Sequence, residues 1–218
     1  MNIYLVRHGE TAFNKLGIVQ GSGIDSDLND VGRNQAMQLY KMYKSVPFDL
    51  ILLSNLKRTY QTAQNFIERD NRNFIKLEAL NEISWGENEG KELTLEREKK
   101  FSDVTESWAK GNLDAKIKNG ESAIELFARC QVVVDFLKEN YKKLENVLIV
   151  THGRTLTALH ILLTKNLQTE INTFKHPNTS LYKYEFDGIE FINTIHKDLT
   201  HLEQPSVSSF KESAKNSW

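Results

Sequence analysis

Three short stretches, IYLVRH (3–8), DLILLS (49–54) and NVLIVTH (146–152), are almost uninterruptedly apolar and then stop on polar or charged residues. A strand with one wet face alternates apolar and polar residues. A continuous run instead suits a parallel strand covered on both faces. Stretches with helical rhythm lie at 30–45, between the first two runs, at 55–70 after the second, and at 153–166 after the third. Buried strands alternating with helices point to an α/β fold around a mainly parallel sheet.

The longest helix is expected over 121–143. Ala123, Leu126, Phe127, Cys130, Val133, Val134, Leu137 and Tyr141 recur at three- and four-residue steps and form one apolar stripe. Ser122 and Glu125 have the spacing of a capping box at its start. Two alternating segments, 180–188 and 189–196, flank Asp187-Gly188 and read as an edge hairpin. Residues 86–120 are charged and poor in large apolar side chains, so they read as an excursion over one end of the sheet. The polar tail from about 197 is expected to be loosely held.

Bulk properties exclude several classes of partner. The 218 residues carry a formal net charge of −1, so nothing draws the chain as a whole to nucleic acid or an anionic membrane. No run approaches the ~20 apolar residues of a spanning helix, and no signal peptide is recognisable at the N-terminus. Cys130 is the single cysteine. It reads as a small core side chain, and the absence of any possible intramolecular disulfide suits a reducing, cytoplasmic setting.

Ligands of open parallel sheets bind beyond the carboxyl ends of the strands. The first run ends on Arg7 and His8. The second ends on Ser54, with Arg58 in the first turn of the following helix. The third ends on His152, followed by Gly153. Two guanidiniums and two imidazoles are thereby delivered to one edge, where charge is costly to desolvate without a partner. A phosphate dianion between them resolves the repulsion, since arginine matches its oxygens bidentately. The start of helix 153–166 would add backbone N–H groups to the same anion. The segment ALNEISWGENEG places Glu82 in a loop able to close over them.

There is no serine or cysteine with a base in motif spacing, no P-loop and no carboxylate cluster for magnesium. His8 is therefore the best candidate nucleophile, a neutral imidazole able to attack phosphorus. Arg7, Arg58 and His152 would stabilise charge on the transferring phosphoryl group. Glu82 is the candidate general acid for the leaving alkoxide, and a phosphate anion nearby would favour its protonated form. Phe13, Ile18 and Trp85 could form an apolar wall for the leaving group.

The stretches LVRHGETAFN, SNLKRTYQTA, LNEISWGENEG, NGES and VTHG, in this order and spacing, resemble the motifs of the histidine phosphatase superfamily, in its phosphoglycerate-mutase-like branch. The resemblance covers roughly residues 3 to 196. It implies a three-layer α/β/α sandwich formed as a single domain and a phosphohistidine intermediate with no metal and no cofactor. It makes His8 the phosphorylated residue and Glu82 the proton donor, with Arg7, Arg58 and His152 as the phosphate pocket. It adds Thr11 and Asn14 as phosphate contacts and Gln20-Gly21 as a substrate-side loop. The expected partners are a small phosphorylated metabolite and inorganic phosphate, with the protein as a monomer or homodimer.

The family fold hosts mutases, phosphatases and noncatalytic binders, so fold does not settle function. Glu82 is followed by Ile83, Ser84 and Trp85, where mutases of the family carry arginine and tyrosine, and 86–120 has no adjacent arginine pair. A phosphatase is the expected activity, with phosphoglycerate-mutase-type transfer or a phosphate-ligand binding protein as the alternatives. Other motifs read as structure. GIDSDLNDVG lacks the glycine and glutamate of a calcium loop and reads as a loop and helix cap. His160 reads as a core or helix-surface residue, and His176, His196 and His201 lack metal-ligand spacing. LEREKK (95–100) reads as a solvated helix face from which a lysine could reach a substrate anion, and HPNTS (176–180), which resembles the family's late loop, as a structural turn or a catalytic segment.

Overall fold

The computed structural model describes residues 1–92, 94–166 and 175–202. The three apolar runs form strands β1 (Asn2–Arg7), β2 (Leu50–Leu53) and a third parallel strand, Asn146–Thr151. Between them lie α1 (Ala12–Leu16), α2 (Asp30–Tyr43), α3 (Lys57–Asp70), the short strand β3 (Phe74–Lys76), α4 (Leu95–Ala109) and α5 (Ala123–Asn140). With Asn146–Thr151 as β4, the chain continues through α6 (Gly153–Thr164), β5 (Leu181–Phe186) and β6 (Phe191–Asp198).

Among the described residues one six-stranded sheet has the order β3-β2-β4-β1-β5-β6. The first four are parallel, and β5 and β6 add as an antiparallel hairpin. The alternation of side chains across the sheet separates two cores. Ile3, Leu5, Leu52, Val147 and Ile149 pack with Leu126, Val133 and Leu137 of α5 and Leu156 and Leu159 of α6. Tyr4, Val6, Ile51, Leu53, Leu148 and Val150 pack with Leu39 of α2 and Ala63, Phe66 and Ile67 of α3. Continuous apolar runs are thus what a sheet buried between two helical layers demands.

The caps lie where the sequence places them. Ser122 and Glu125 make the reciprocal capping box of α5, which spans less than the expected 121–143. The acidic stretch before α2 is loop and cap: the Asn29 side chain accepts from Gly32 N at 2.8 Å, and Asp25 Oδ1 accepts from Lys57 N at 2.7 Å. No helix among the described residues is long and apolar enough to cross a membrane.

Three features differ from expectation. Strand β3 was not foreseen; its three residues are all exposed and carry no burial pattern. The 86–120 segment is anchored in the core, because Phe101, Trp108 and Ile117 are buried in the same cluster as Trp85. These side chains sit one or two turns apart among charges, which masks them from a composition argument. Residues 198–202 are held. Tyr43 Oη donates to Asp198 Oδ2 at 3.0 Å, and buried His201 reaches Thr179 Oγ1 with Nε2 at 3.1 Å. The rest of the polar tail, 203–218, lies outside the described residues.

Candidate active site

The parallel register sets Arg7 beside Thr151 and Leu53 beside Val150, so β1, β2 and β4 end at one edge. Because β5 runs antiparallel to β1, the chain entering it also arrives there: Arg7 N donates to Ser180 O at 3.2 Å, and Thr179 N to Arg7 O at 3.1 Å. Thr179 has φ 58°, a left-handed conformation that a β-branched residue adopts only when its surroundings hold it. Residues 176–180 therefore form a strap across the site, so HPNTS is more than a structural turn.

His8 is buried, and its Nδ1 lies 2.7 Å from Gly9 O. A carbonyl can only accept, so Nδ1 carries the hydrogen and the lone pair of the neutral ring is on Nε2. Burial, then the charges of Arg58 and Arg7, hold the His8 pKa well below the usual histidine value. The backbone is gripped as well: Asn178 Nδ2 donates to His8 O at 3.0 Å and Gly9 N to Thr62 Oγ1 at 2.9 Å. A Cβ at Gly9 would stand 2.7 Å from Gly32 O of α2, so this glycine allows the strand end to touch the first turn of the helix.

His152 is 5.1 Å from His8 between ring centroids. Its Nδ1 accepts from Arg58 Nε at 3.1 Å, which leaves the hydrogen on Nε2, 2.8 Å from Ser54 Oγ. Burial, then Arg58, holds this imidazole neutral too. The site thus combines two guanidiniums with two neutral rings, as the reading of His8 as a neutral nucleophile requires. Arg58 is fixed by Ile24 O at 2.6 Å and Gly21 O at 3.4 Å; burial lowers its pKa to about 10, so it stays charged at neutral pH. Arg7 donates through one terminal nitrogen to His176 O, while its Nε is buried with no hydrogen-bond partner. Such a donor fits an anion.

The Glu82 carboxylate is held from two directions. Oε1 accepts from Ile83 N at 3.0 Å, Thr155 N at 3.1 Å and Thr155 Oγ1 at 3.2 Å, and Oε2 accepts from Arg154 N at 3.2 Å. The first-turn N–H groups of α6, expected to face a phosphate, are therefore engaged by Glu82. A carboxylate is itself an anion at a helix N-terminus, and it competes for those donors.

The remaining expected contacts divide. Thr11 caps α1 in a reciprocal box with Asn14, and Gln20 Nε2 donates to Thr11 Oγ1 at 2.7 Å. Asn14 Oδ1 also accepts from Asn178 Nδ2 at 3.3 Å. Gly21 reaches the site through its carbonyl on Arg58. Thr11 and Gln20 are buried, and their side chains are bonded to each other. Trp85 is buried, tilted against Phe101 at 4.5 Å and stacked on Trp108 at 5.8 Å, so it cannot line an open apolar wall with half-buried Phe13 and Ile18. Above this stack lies the guanidinium of Arg154, 5.6–6.0 Å from the three ring centroids. Arg154 was missed, since a residue after HG carries no charge pattern of its own, and HPNTS was singled out without the contacts that Asn178 and the His176 carbonyl make. Among the described residues no group of three His, Cys, Asp or Glu side chains could hold a metal ion.

Gly153 lies between the two sides of the site. A methyl there would stand 3.6 Å from Glu82 Oε2 and 3.9 Å from Arg7 Nε, ordinary contacts with the protein itself. Gly153→Ala is therefore expected to leave the thermal midpoint unchanged or raised, since Gly→Ala at a compatible helical position stabilises by about 0.4–1 kcal/mol. KM for phosphate esters should rise about tenfold or more, the equivalent of ~1.4 kcal/mol of lost binding. Unaltered kinetics would show that substrate does not enter between Glu82 and Arg7.

Comparison with known proteins identifies the family. The sequence profile of the histidine phosphatase superfamily, branch 1, matches residues 3–197. Phosphoserine phosphatase 1 of Hydrogenobacter thermophilus is 32% identical over 165 residues, 75% of this chain and 76% of that protein. Phosphoglycerate mutase-like protein 4 of Arabidopsis thaliana is 28% identical over 212 residues, 93% of this chain and 87% of that one. The solved structure of Bacillus stearothermophilus YhfR superposes with a TM-score of 0.80 at 28% identity, covering 93% and 99% of the two chains. With its motifs matched along nearly the whole chain and its sheet edge assembled as those motifs require, the chain belongs to the histidine phosphatase superfamily, branch 1.

Proposed function

We propose that the protein is a metal-independent phosphomonoesterase, a single catalytic domain that works through a phosphohistidine on His8. The observation that carries this reading is the fixed tautomer of His8: Nδ1 is tied to Gly9 O, Nε2 keeps its lone pair, and Arg7, whose charge acts on this ring, holds a buried donor without a partner. Arg7 and Arg58 supply two positive charges, which match a phosphoryl dianion. Nε2 attacks phosphorus, the bond to the ester oxygen breaks, and Glu82 delivers its proton to that oxygen. Positive charge developing on the ring is stabilised by Gly9 O at the Nδ1 hydrogen. Water then attacks the phosphorus, Glu82 takes its proton, and Nε2 departs with its electron pair, releasing inorganic phosphate.

The leaving group we infer is a small polar alcohol. Arg154, partly exposed and next to Glu82, adds a cation on the acid's side of the site, and the relative named for phosphoserine supports a small substrate bearing a carboxylate. A panel of phosphate monoesters, assayed with and without EDTA and beside a mutase assay primed with bisphosphate, tests the proposal. Release of inorganic phosphate should persist in EDTA, without phosphoryl transfer between positions. Loss on chelation restored by one metal would overturn metal independence. Efficient transfer would make the protein a mutase, and turnover of nothing a binding protein.

A further inference from the structure

The NGES stretch, singled out in the sequence, takes no part in the chemistry above. In the structure Glu121 accepts a two-pronged ion pair from Arg129 of α5: Nε to Oε1 at 2.6 Å and a terminal nitrogen to Oε2 at 3.0 Å. Both partners also bind the segment that carries Glu82, one on each side of it. Arg129 donates its other terminal nitrogen to Ala79 O at 2.8 Å. Glu121 donates its N–H to Ser84 O at 2.8 Å and accepts from Ser84 N on Oε2 at 3.3 Å. A Cβ at Gly120 would lie 2.8 Å from Ser84 O, so the glycine of the motif permits this approach. Ser122, the last residue of the motif, caps α5 and sets the helix from which Arg129 returns over Glu121.

Four residues, 80–83, lie between the two grips, and Glu82 is one of them. The pair therefore fixes both ends of the loop in a forked geometry that lysine cannot reproduce. We propose that the Glu121–Arg129 ion pair is a positioning device that sets the reach of Glu82 toward the leaving-group oxygen. This rests on the reading of Glu82 as proton donor. The pair does not touch substrate; it acts through the backbone of 79–84.

Arg129→Lys and Glu121→Gln, compared with Glu82→Gln, test it. Each brace variant should lose about 10- to 100-fold in kcat on an alkyl phosphate, the scale of a misplacement near 1 Å. On p-nitrophenyl phosphate, whose leaving group needs no proton, the loss should stay below roughly threefold, and vanadate inhibition should be unchanged. In a Glu82→Gln background Arg129→Lys should cost nothing further, because residues acting through one group are not additive. Equal losses on both substrates, an additive loss in that background, or wild-type kinetics would each overturn the proposal. Failure of both conservative variants to fold would make the pair a staple of the fold and overturn it as well. A flat profile for Glu82→Gln itself would instead remove the acid role, whereas a steep Glu82→Gln beside a flat Arg129→Lys removes only the brace.

Discussion

His8→Ala should abolish turnover: the expected loss is about 10⁶-fold, the scale seen when a nucleophile is deleted while the surrounding donors remain. The wild-type protein, stopped during turnover of a phosphate donor, should carry an acid-labile, base-stable phosphoryl label, and the variant should carry none. The reason is the single lone pair. Gly9 O holds the Nδ1 hydrogen, so Nε2 is the only nitrogen of the His8 ring that can attack. The same environment sets the pH dependence. Protonation of Nε2 would remove the nucleophile, and burial with two nearby guanidiniums lowers the pKa that governs it. The acid limb of kcat/KM, corrected for ionisation of the substrate, should therefore lie below the ordinary histidine value of about 6.5. A limb at that value would place a solvated histidine in the nucleophile's role. Label on another residue would remove His8 from the mechanism.

Glu82→Gln separates substrates by how much their leaving group needs a proton. An alkyl phosphate expels a strongly basic alkoxide, whereas p-nitrophenyl phosphate expels a phenolate that departs unaided. The variant keeps size and polarity and removes the acid. A loss of about 10²–10⁴-fold is expected on alkyl phosphates, the range for general acid catalysis, with a much smaller loss on the aryl ester. Some common loss is expected, since the same carboxylate accepts the proton of water in the second step. The competing view is that Glu82 only orders α6 through Arg154 N and Thr155 N. That role would penalise both substrates alike, and equal losses across leaving groups of widely different pKa would decide for it. Thermal melting adds a check, because glutamine can still accept from those N–H groups and should leave the midpoint within a few degrees.

The contrast between Arg58 and Arg154 shows what could be read early. Arg58 was legible because it stands one turn after a buried run, where a topological rule for parallel sheets aims it at the ligand edge. Arg154 follows such a run too, but its guanidinium is placed by Phe101 and Trp108, from a segment whose charged composition concealed its core residues. The helix start after His152 was also legible, yet the destination of its N–H groups was not. Whether they meet a phosphate or a carboxylate depends on where a loop 72 and 73 residues away in sequence from Arg154 and Thr155 comes to rest, and Glu82 came to rest on them.

Local pattern alone determined the layers, the parallel strands, the capping box at Ser122 and the delivery of Arg7, His8, Arg58 and His152 to one edge. These follow from burial and periodicity, which are written residue by residue and do not depend on distant partners. Tertiary structure decided the protonation state of the imidazoles, the strap of residues 176–180, and the brace from Glu121 and Arg129. Each of these depends on which donor wins an acceptor across long sequence separations, as Asn178 reaches His8 O and Arg129 reaches Ala79 O. Such competition is settled by strand order and packing, because a hydrogen bond is directional and short-ranged while the hydrophobic pattern that builds the frame is neither.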